Sequence, residues 1–430
     1  MKTVLIISYF APPLGGPGVQ RIQKFIKYLP KFGWKPIVIT VKNVEYIAYD
    51  YSLLDEIKDA IIYRTESLDL MRLLYLFEKL RKSKTNNKRI YNTVNNFIRN
   101  KIRDIFPIDS KIGWLPFAIK KSEEICKIRK IDAVFATIGP YTSAIVAYKI
   151  ANKFNLPLII DYRDLWRGKP DITYFSEWHK KISIKWEKRI LEFSQNIIVN
   201  TEYSKQKIVK LFLNINKSKF RVLYNGWDAN DFNFNKKIIK KDKIIFTYTG
   251  GFYGERTPYY FLRSLDILCE KNLLPDNVEF RFIGNYLKNI SDMFNNVKCK
   301  KNLKIIPQVS HKESIKYLLE SNFLLLFIAK KNSEIVLPAK IFEYLASQKP
   351  ILAMIPEKSE AAEIILKYNV GLISEIDDIK AIGKHILKLI DLDKTNRLEA
   401  EFNIFENDYL HFERKHQTGK LAEILNQTVK

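Results

Sequence analysis

The stretch LPAKIFEYLA, Leu337 to Ala346, sets a cation and an anion three residues apart in an otherwise apolar helical segment. Pro338 suits a first helical turn, where no backbone N–H is needed. Lys340 then lies within that turn and Glu343 on nearly the same face. Burying either charge is costly unless something pairs with it. A ligand carrying phosphates and neighbouring hydroxyls would satisfy both, with Lys340 facing a diphosphate and Glu343 accepting hydrogen bonds from a ribose diol. The plainer alternative is a surface ion pair. The neighbours Ile341, Phe342, Tyr344, Leu345 and Ala346 are expected to be buried, and they weigh against it.

Two glycine-rich turns offer matching chemistry. In PPLGGPGVQR, Gly15, Gly16 and Gly18 follow an apolar run and precede a helix. Such glycines permit tight turns and close backbone approach, and a helix N-terminus presents free N–H groups to an anion. Arg21, one turn into that helix, is a candidate anion partner. TGGFYGERTP repeats the device with Gly250, Gly251 and Gly254, followed by Arg256. Neither turn reads GxGxxG, so nicotinamide binding is poorly supported. A third constellation is DYRDLWRGKPD. Arg163 is a candidate phosphate contact, Asp164 a candidate general base or hydroxyl-binding group, and Trp166 a candidate stacking face for a sugar or base. All three sit just past an apolar run ending at Asp161. The alternative there is a salt-bridged loop.

The elements that must position these residues alternate along the chain. Short runs rich in Val, Ile and Phe, such as Val4–Ser8, Pro36–Val41, Ala133–Thr137 and Leu158–Asp161, lack polar alternation, as strands covered on both faces do. Helix-like stretches between them imply right-handed crossovers and parallel sheets. The pattern restarts at Ile244–Tyr248 after a Lys/Asn-rich segment. We therefore expect an α/β chain of two Rossmann-like, doubly wound domains facing across a cleft. The first would span residues 1–230, with a basic helical excursion over about 68–103. The second would span 231–395, and a helical segment, 396–430, would tie them together. Ligands of such sheets bind outside the carboxyl ends of the strands, where all three constellations fall.

Composition narrows the partners. The chain has 430 residues and a formal charge of +25. The run Lys79–Arg103 contains basic residues and no acid, and Lys205–Arg221 is similar. An anionic membrane surface attracts such segments. No nucleic-acid recognition module is visible. Cys126, Cys269 and Cys299 are scattered without a CxxC, so neither a disulfide framework nor a zinc site is expected, and a reducing cytoplasm fits. The apolar N-terminal run ends in a Pro/Gly turn without a small-residue cleavage site and reads as a strand, not a signal peptide. The histidines show no metal-ligand spacing, so no metal cofactor is expected.

LPAKIFEYLASQKPILA, DYRDLW, GGPGVQR and IGWLPFAI together resemble the retaining glycosyltransferases of family 4, with the bacterial surface-polysaccharide and lipopolysaccharide enzymes most similar. The resemblance implies a GT-B architecture, a nucleotide-sugar donor that is often UDP-linked, and retention without an obligatory metal. It also implies a lipid-linked or glycan acceptor and a peripheral position on the inner face of the bacterial cytoplasmic membrane. Glu343 matches the ribose-binding glutamate, and Lys340 a phosphate-facing base. Gly15 and Gly16 match the first-domain loop, and Arg256 is a loose counterpart of the family's phosphate-binding basic residues. One feature departs from the family pattern: the position eight before Glu343 is Ile335, with Glu334 one residue earlier, where many members carry a second glutamate. Rival readings are a sugar-nucleotide epimerase of the same fold and a non-catalytic basic protein that binds membrane or nucleic acid.

Overall fold

The structure is a computed structural model that describes residues 1–44, 46, 49–81, 106–167, 174–232, 242–330, 334, 336–404 and 409–429. The chain divides into two compact units, Met1–Asn225 with Arg414–Lys430, and Gly226–Glu413. Most of the basic run Lys79–Arg103 lies outside the described residues. The helix Leu70–Arg81 leads into it.

In the first unit, β1 (Lys2–Ile7), β2 (Trp34–Val41), β3 (Ile61–Thr65), β4 (Ala133–Ile138), β5 (Leu158–Tyr162), β6 (Asn196–Val199) and β7 (Phe220–Val222) form one sheet. Its order is β3-β2-β1-β4-β5-β6-β7, and its pairings are parallel. Every residue of AVFATI in β4 is buried, because helices cover both faces and no position faces water. Those helices include α1 (Pro17–Tyr28), α2 (Thr142–Lys153) and α3 (Glu177–Phe193). The strand order reverses between β1 and β4, and there the loops after neighbouring strands diverge to leave a crevice.

The second unit repeats the plan with β8 (Ile244–Thr249), β9 (Val278–Ile283), β10 (Leu303–Ile306), β11 (Phe323–Phe327), β12 (Ile351–Met354) and β13 (Gly371–Ser374). Its parallel order is β10-β9-β8-β11-β12-β13, so the reversal falls between β8 and β11. An aromatic core of Phe246, Phe261, Phe280, Phe282 and Phe327 fixes the sheet against α4 (Tyr259–Glu270). After β10 comes α5 (His311–Leu319), and after β11 comes α6 (Lys340–Ser347). The unit runs to Glu413, past the expected end at 395.

The final helix, α7 (Arg414–Thr428), belongs to the first unit and packs on α1. Leu421, Ala422 and Leu425 join the core that includes Ile22, Phe25 and Trp34. Trp34 Nε1 donates to Asn426 Oδ1 at 3.1 Å. Gly419 lies over the Phe32 ring, where a Cβ would stand 3.2 Å from its edge.

One cysteine expectation is corrected. Cys269 at the end of α4 and Cys299 before β10 form a disulfide, with Cα atoms 6.1 Å apart. They are 30 residues apart in sequence, and only the crossover through β9 returns the chain to the end of α4.

Candidate functional site

The second unit gathers its candidate residues at the strand-order reversal. β8 ends at Thr249 and turns at Gly250, whose φ of +119° favours glycine. A Cβ there would stand 2.8 Å from Lys340 Nζ. Gly284, after β9, lies against the Gly250 carbonyl oxygen, 2.6 Å from where its own Cβ would be. Two adjacent strand ends therefore close into a bare backbone turn under one lysine.

That lysine opens α6. Its Nζ donates to the Thr249 carbonyl and stands 4.1 Å from the centroid of the Tyr248 ring. Burial, reinforced by the nearby Arg256 guanidinium, pushes its pKa down to about 7, while Glu343 opposes the shift. Arg256 lies over the Tyr253 ring at 4.9 Å, and its buried Nε makes no hydrogen bond. Among the described residues neither of these basic side chains beside the glycine turn makes a salt bridge, and Glu343 only partly offsets the effect of burial on Lys340. Such an arrangement is poised for an anion.

Glu343 is not ion-paired with Lys340 along the helix surface. Its Oε1 accepts from His311 Nε2 at 2.9 Å, and both side chains are partly accessible, 16% and 25%. His311 is the first residue of α5, whose Ser310–Glu313 capping box holds the start of the helix. One carboxylate oxygen is thereby oriented, and the carboxylate keeps capacity for further donors. Gly251 accepts from the Tyr248 hydroxyl at 3.0 Å through its carbonyl. Glu334 is exposed, and Ile335 lies outside the described residues.

Sequence reasoning missed His311, Gly284 and Tyr286. Tyr286 follows Gly284 by two residues, and its buried hydroxyl makes no hydrogen bond. Burial, with Tyr248 and Tyr344 nearby, raises its pKa far above the ordinary phenol value. The available signal was the third strand-then-glycine junction, FIGNY.

In the first unit, Gly15 and Gly16 lead into α1, which starts at Pro17 with no side-chain cap. Gly16 has φ +100°. Arg163 lies across this helix start, and a Cβ on Gly18 would fall 1.8 Å from its Nη1. Arg163 Nη2 donates to the Gly139 carbonyl at 2.8 Å, and its Nε stands 3.4 Å from Asp164 Oδ2. Asp164 is 42% exposed, the most accessible charge of this group. The loops after β1, β4 and β5 therefore meet around Arg163 and Asp164.

Two expectations for this unit are corrected. Arg21 does not await an anionic ligand. It is 2% exposed and grips Asp161 at 2.8 and 3.1 Å, with further bonds to the Leu223 and Tyr224 carbonyls. A buried aspartate at the end of β5 needs a partner, and Arg21 supplies it. Trp166 offers no open stacking face. It is 1% exposed, stacks on Tyr141 at 4.7 Å, and donates from Nε1 to Ser183 Oγ at 2.9 Å. Beneath it, burial pushes the Glu187 pKa up to about 7 despite Arg167 nearby.

Among the described residues, no three His, Cys, Asp or Glu side chains gather as a metal site, and no helix is long and apolar enough to cross a membrane.

Known proteins match this architecture closely. Residues 19–231 match the model of Glycosyltransferase Family 4, and residues 229–401 that of Glycosyl transferases group 1. Together the two matches span residues 19–401, so the chain carries these two glycosyltransferase domains in tandem on a GT-B fold. Anabaena HepE, solved in complex with UDP-glucose, is similar at 13% identity and TM-score 0.63, over 99% of this chain and 100% of that one. Sucrose-phosphate synthase from Thermosynechococcus elongatus is similar at 14% identity and TM-score 0.66, over 99% of both chains. WaaG, a glycosyltransferase involved in lipopolysaccharide biosynthesis, is similar at 11% identity and TM-score 0.62, over 98% and 99%. No curated protein matches the sequence.

Proposed function

We propose that this glycosyltransferase moves a hexose or N-acetylhexosamine from a UDP-linked donor to a lipid-linked or glycan acceptor in bacterial surface-polysaccharide assembly, with retention and without metal. The observation that carries the reading is the arrangement in the second unit. Lys340 and Arg256 stand beside the Gly250 turn, and the Glu343 carboxylate is oriented by His311 one helical turn away. A nucleoside diphosphate has the complementary groups, a diphosphate next to a ribose diol. The HepE complex with UDP-glucose supports the choice of base, and WaaG supports the pathway.

As the bond from the anomeric carbon to the diphosphate breaks, negative charge grows on the leaving phosphate. Donors already in place at that point lower the barrier without reorganising. Lys340, Arg256 and the Gly251 N–H fill that role, while the Gly250 N–H already donates to the Ile283 carbonyl at 2.8 Å and only shapes the turn. Glu343 holds the ribose. In the first unit, the Gly15–Gly16 turn and Arg163 contact the acceptor or its phosphate, and Asp164 binds the acceptor hydroxyl or takes its proton. The chain works at the inner face of the cytoplasmic membrane, held there by its basic surface, which also supports a phosphate-bearing lipid acceptor.

A thermal-shift panel of nucleotides and nucleotide sugars tests the donor, since a ligand that binds only the folded form raises the melting temperature. UDP compounds should stabilise the protein more than other bases, and Glu343→Ala should abolish that gain while leaving the unliganded melting temperature close to wild type. Equal stabilisation of wild type and variant refutes the ribose assignment. Transfer activity that EDTA abolishes and manganese restores refutes the metal-free reading.

A further inference from the structure

Helix α3 begins with two large rings in open solvent. Phe175 is 69% exposed and Trp178 61%. They are held in place: His179 packs edge-on against both, with centroids 5.5 and 5.0 Å away, and is itself 9% exposed. Ser176 caps the helix and holds His179 Nδ1 at 2.8 Å. Farther along, the solvent face carries Lys180, Lys181, Lys185, Lys188 and Arg189, while Ser183, Glu187, Ile190 and Leu191 face the interior. Lys180 and Lys188 have carboxylate partners in Glu177 and Glu192, at 3.2 and 3.7 Å. Trp178, Lys181 and Lys185 recur at helical spacing, so the ring and two further ammonium groups share one stripe.

Because α3 follows β5 in a parallel sheet, its N-terminus lies at the carboxyl end of the strands. The Gly16 turn, Gly139 and Asp164 occupy the same end of the unit. We propose that the Phe175–Trp178 pair and the Lys181–Lys185 stripe form a docking surface for an anionic phospholipid bilayer. The rings enter the headgroup layer, where tryptophan is favoured, and the ammonium groups meet lipid phosphates. Charge decides the occupant: a row of lysines beside exposed rings complements an anionic lipid surface, whereas a neutral glycan would need only the rings. The surface would bring Asp164 to a lipid-held acceptor. In that sense it deepens the proposed function and rests on it for its purpose.

The test uses the full chain with vesicles of phosphatidylcholine alone and of phosphatidylcholine with phosphatidylglycerol at about three to one. The protein should float with the anionic vesicles and much less with the neutral ones, and more salt should release it. Lys181→Glu/Lys185→Glu and Phe175→Ala/Trp178→Ala should each cut the bound fraction about fivefold or more. Tryptophan emission should shift to the blue on anionic vesicles, and Trp178→Phe should remove most of that shift while retaining binding. UDP-induced stabilisation should be unchanged in every variant, which separates failure of the docking surface from failure of the donor reading. Wild-type binding in both double variants, or anionic-vesicle binding with unchanged Trp178 emission, overturns the proposal. So does an emission shift produced by oligosaccharide and not by vesicles, which would make the rings an acceptor platform.

Discussion

Removing the charge of Lys340 gives the most quantitative test of the donor site. In the unliganded protein its pKa is pushed down to about 7 by burial and by Arg256, so above neutral pH the side chain is mostly uncharged. A bound diphosphate favours the ammonium form and raises the pKa again, so binding must take up a proton. The sign follows from linkage. Where the complex binds more protons than the free protein, affinity falls as pH rises. With a free-protein pKa of about 7, UDP affinity should weaken about eightfold between pH 7.5 and 8.5. The terminal phosphate of UDP, with a second pKa near 6, is already ionised over this range. Isothermal titration of UDP across that range, in two buffers of different ionisation enthalpy, reads both the affinity and the proton uptake. At pH 8, uptake should approach about 0.9 proton per UDP bound. Lys340→Met should bind more weakly near neutral pH, show little pH slope and take up little proton. Equal slopes in wild type and Lys340→Met, or an enthalpy independent of buffer in the wild type, would refute the placement of Lys340 at the diphosphate.

The other predictions concern the partners of the site. His311→Ala should weaken UDP binding several-fold by freeing the Glu343 carboxylate, and His311→Gln, which keeps a donor, should recover part of the loss in the same titration. Arg21→Met should cost about 3–5 kcal/mol of stability in urea unfolding, because Asp161 is left as a buried uncompensated charge. A loss below about 1 kcal/mol would contradict the structural role of that pair. Trp166→Ala should cost about 3–5 kcal/mol by opening a cavity beside Tyr141, with UDP binding by the folded fraction unchanged.

Much of the architecture was legible because it is written locally. Apolar runs such as FLLLF and AVFATI, each wholly buried, announce strands covered on both faces. Glycine turns after β1 and β8 mark where each sheet starts anew. Lys340 and Glu343 were legible as a pair because helical spacing sets which residues share a face. What they pair with was not legible. Lys340 turns to the Thr249 carbonyl and Glu343 to His311, which lies 32 residues away on another helix. Arg21 reads as an anion ligand until β5 brings Asp161, 140 residues on, against it. Trp166 reads as a stacking platform until Tyr141 and Ser183 close over it, and Cys269 meets Cys299 only through a crossover. Local spacing determines which elements form and which residues share their faces. The parallel crossovers determine which charges and rings are already satisfied inside the protein, and so which remain for a ligand, because that depends on contacts between strands and helices far apart in the chain.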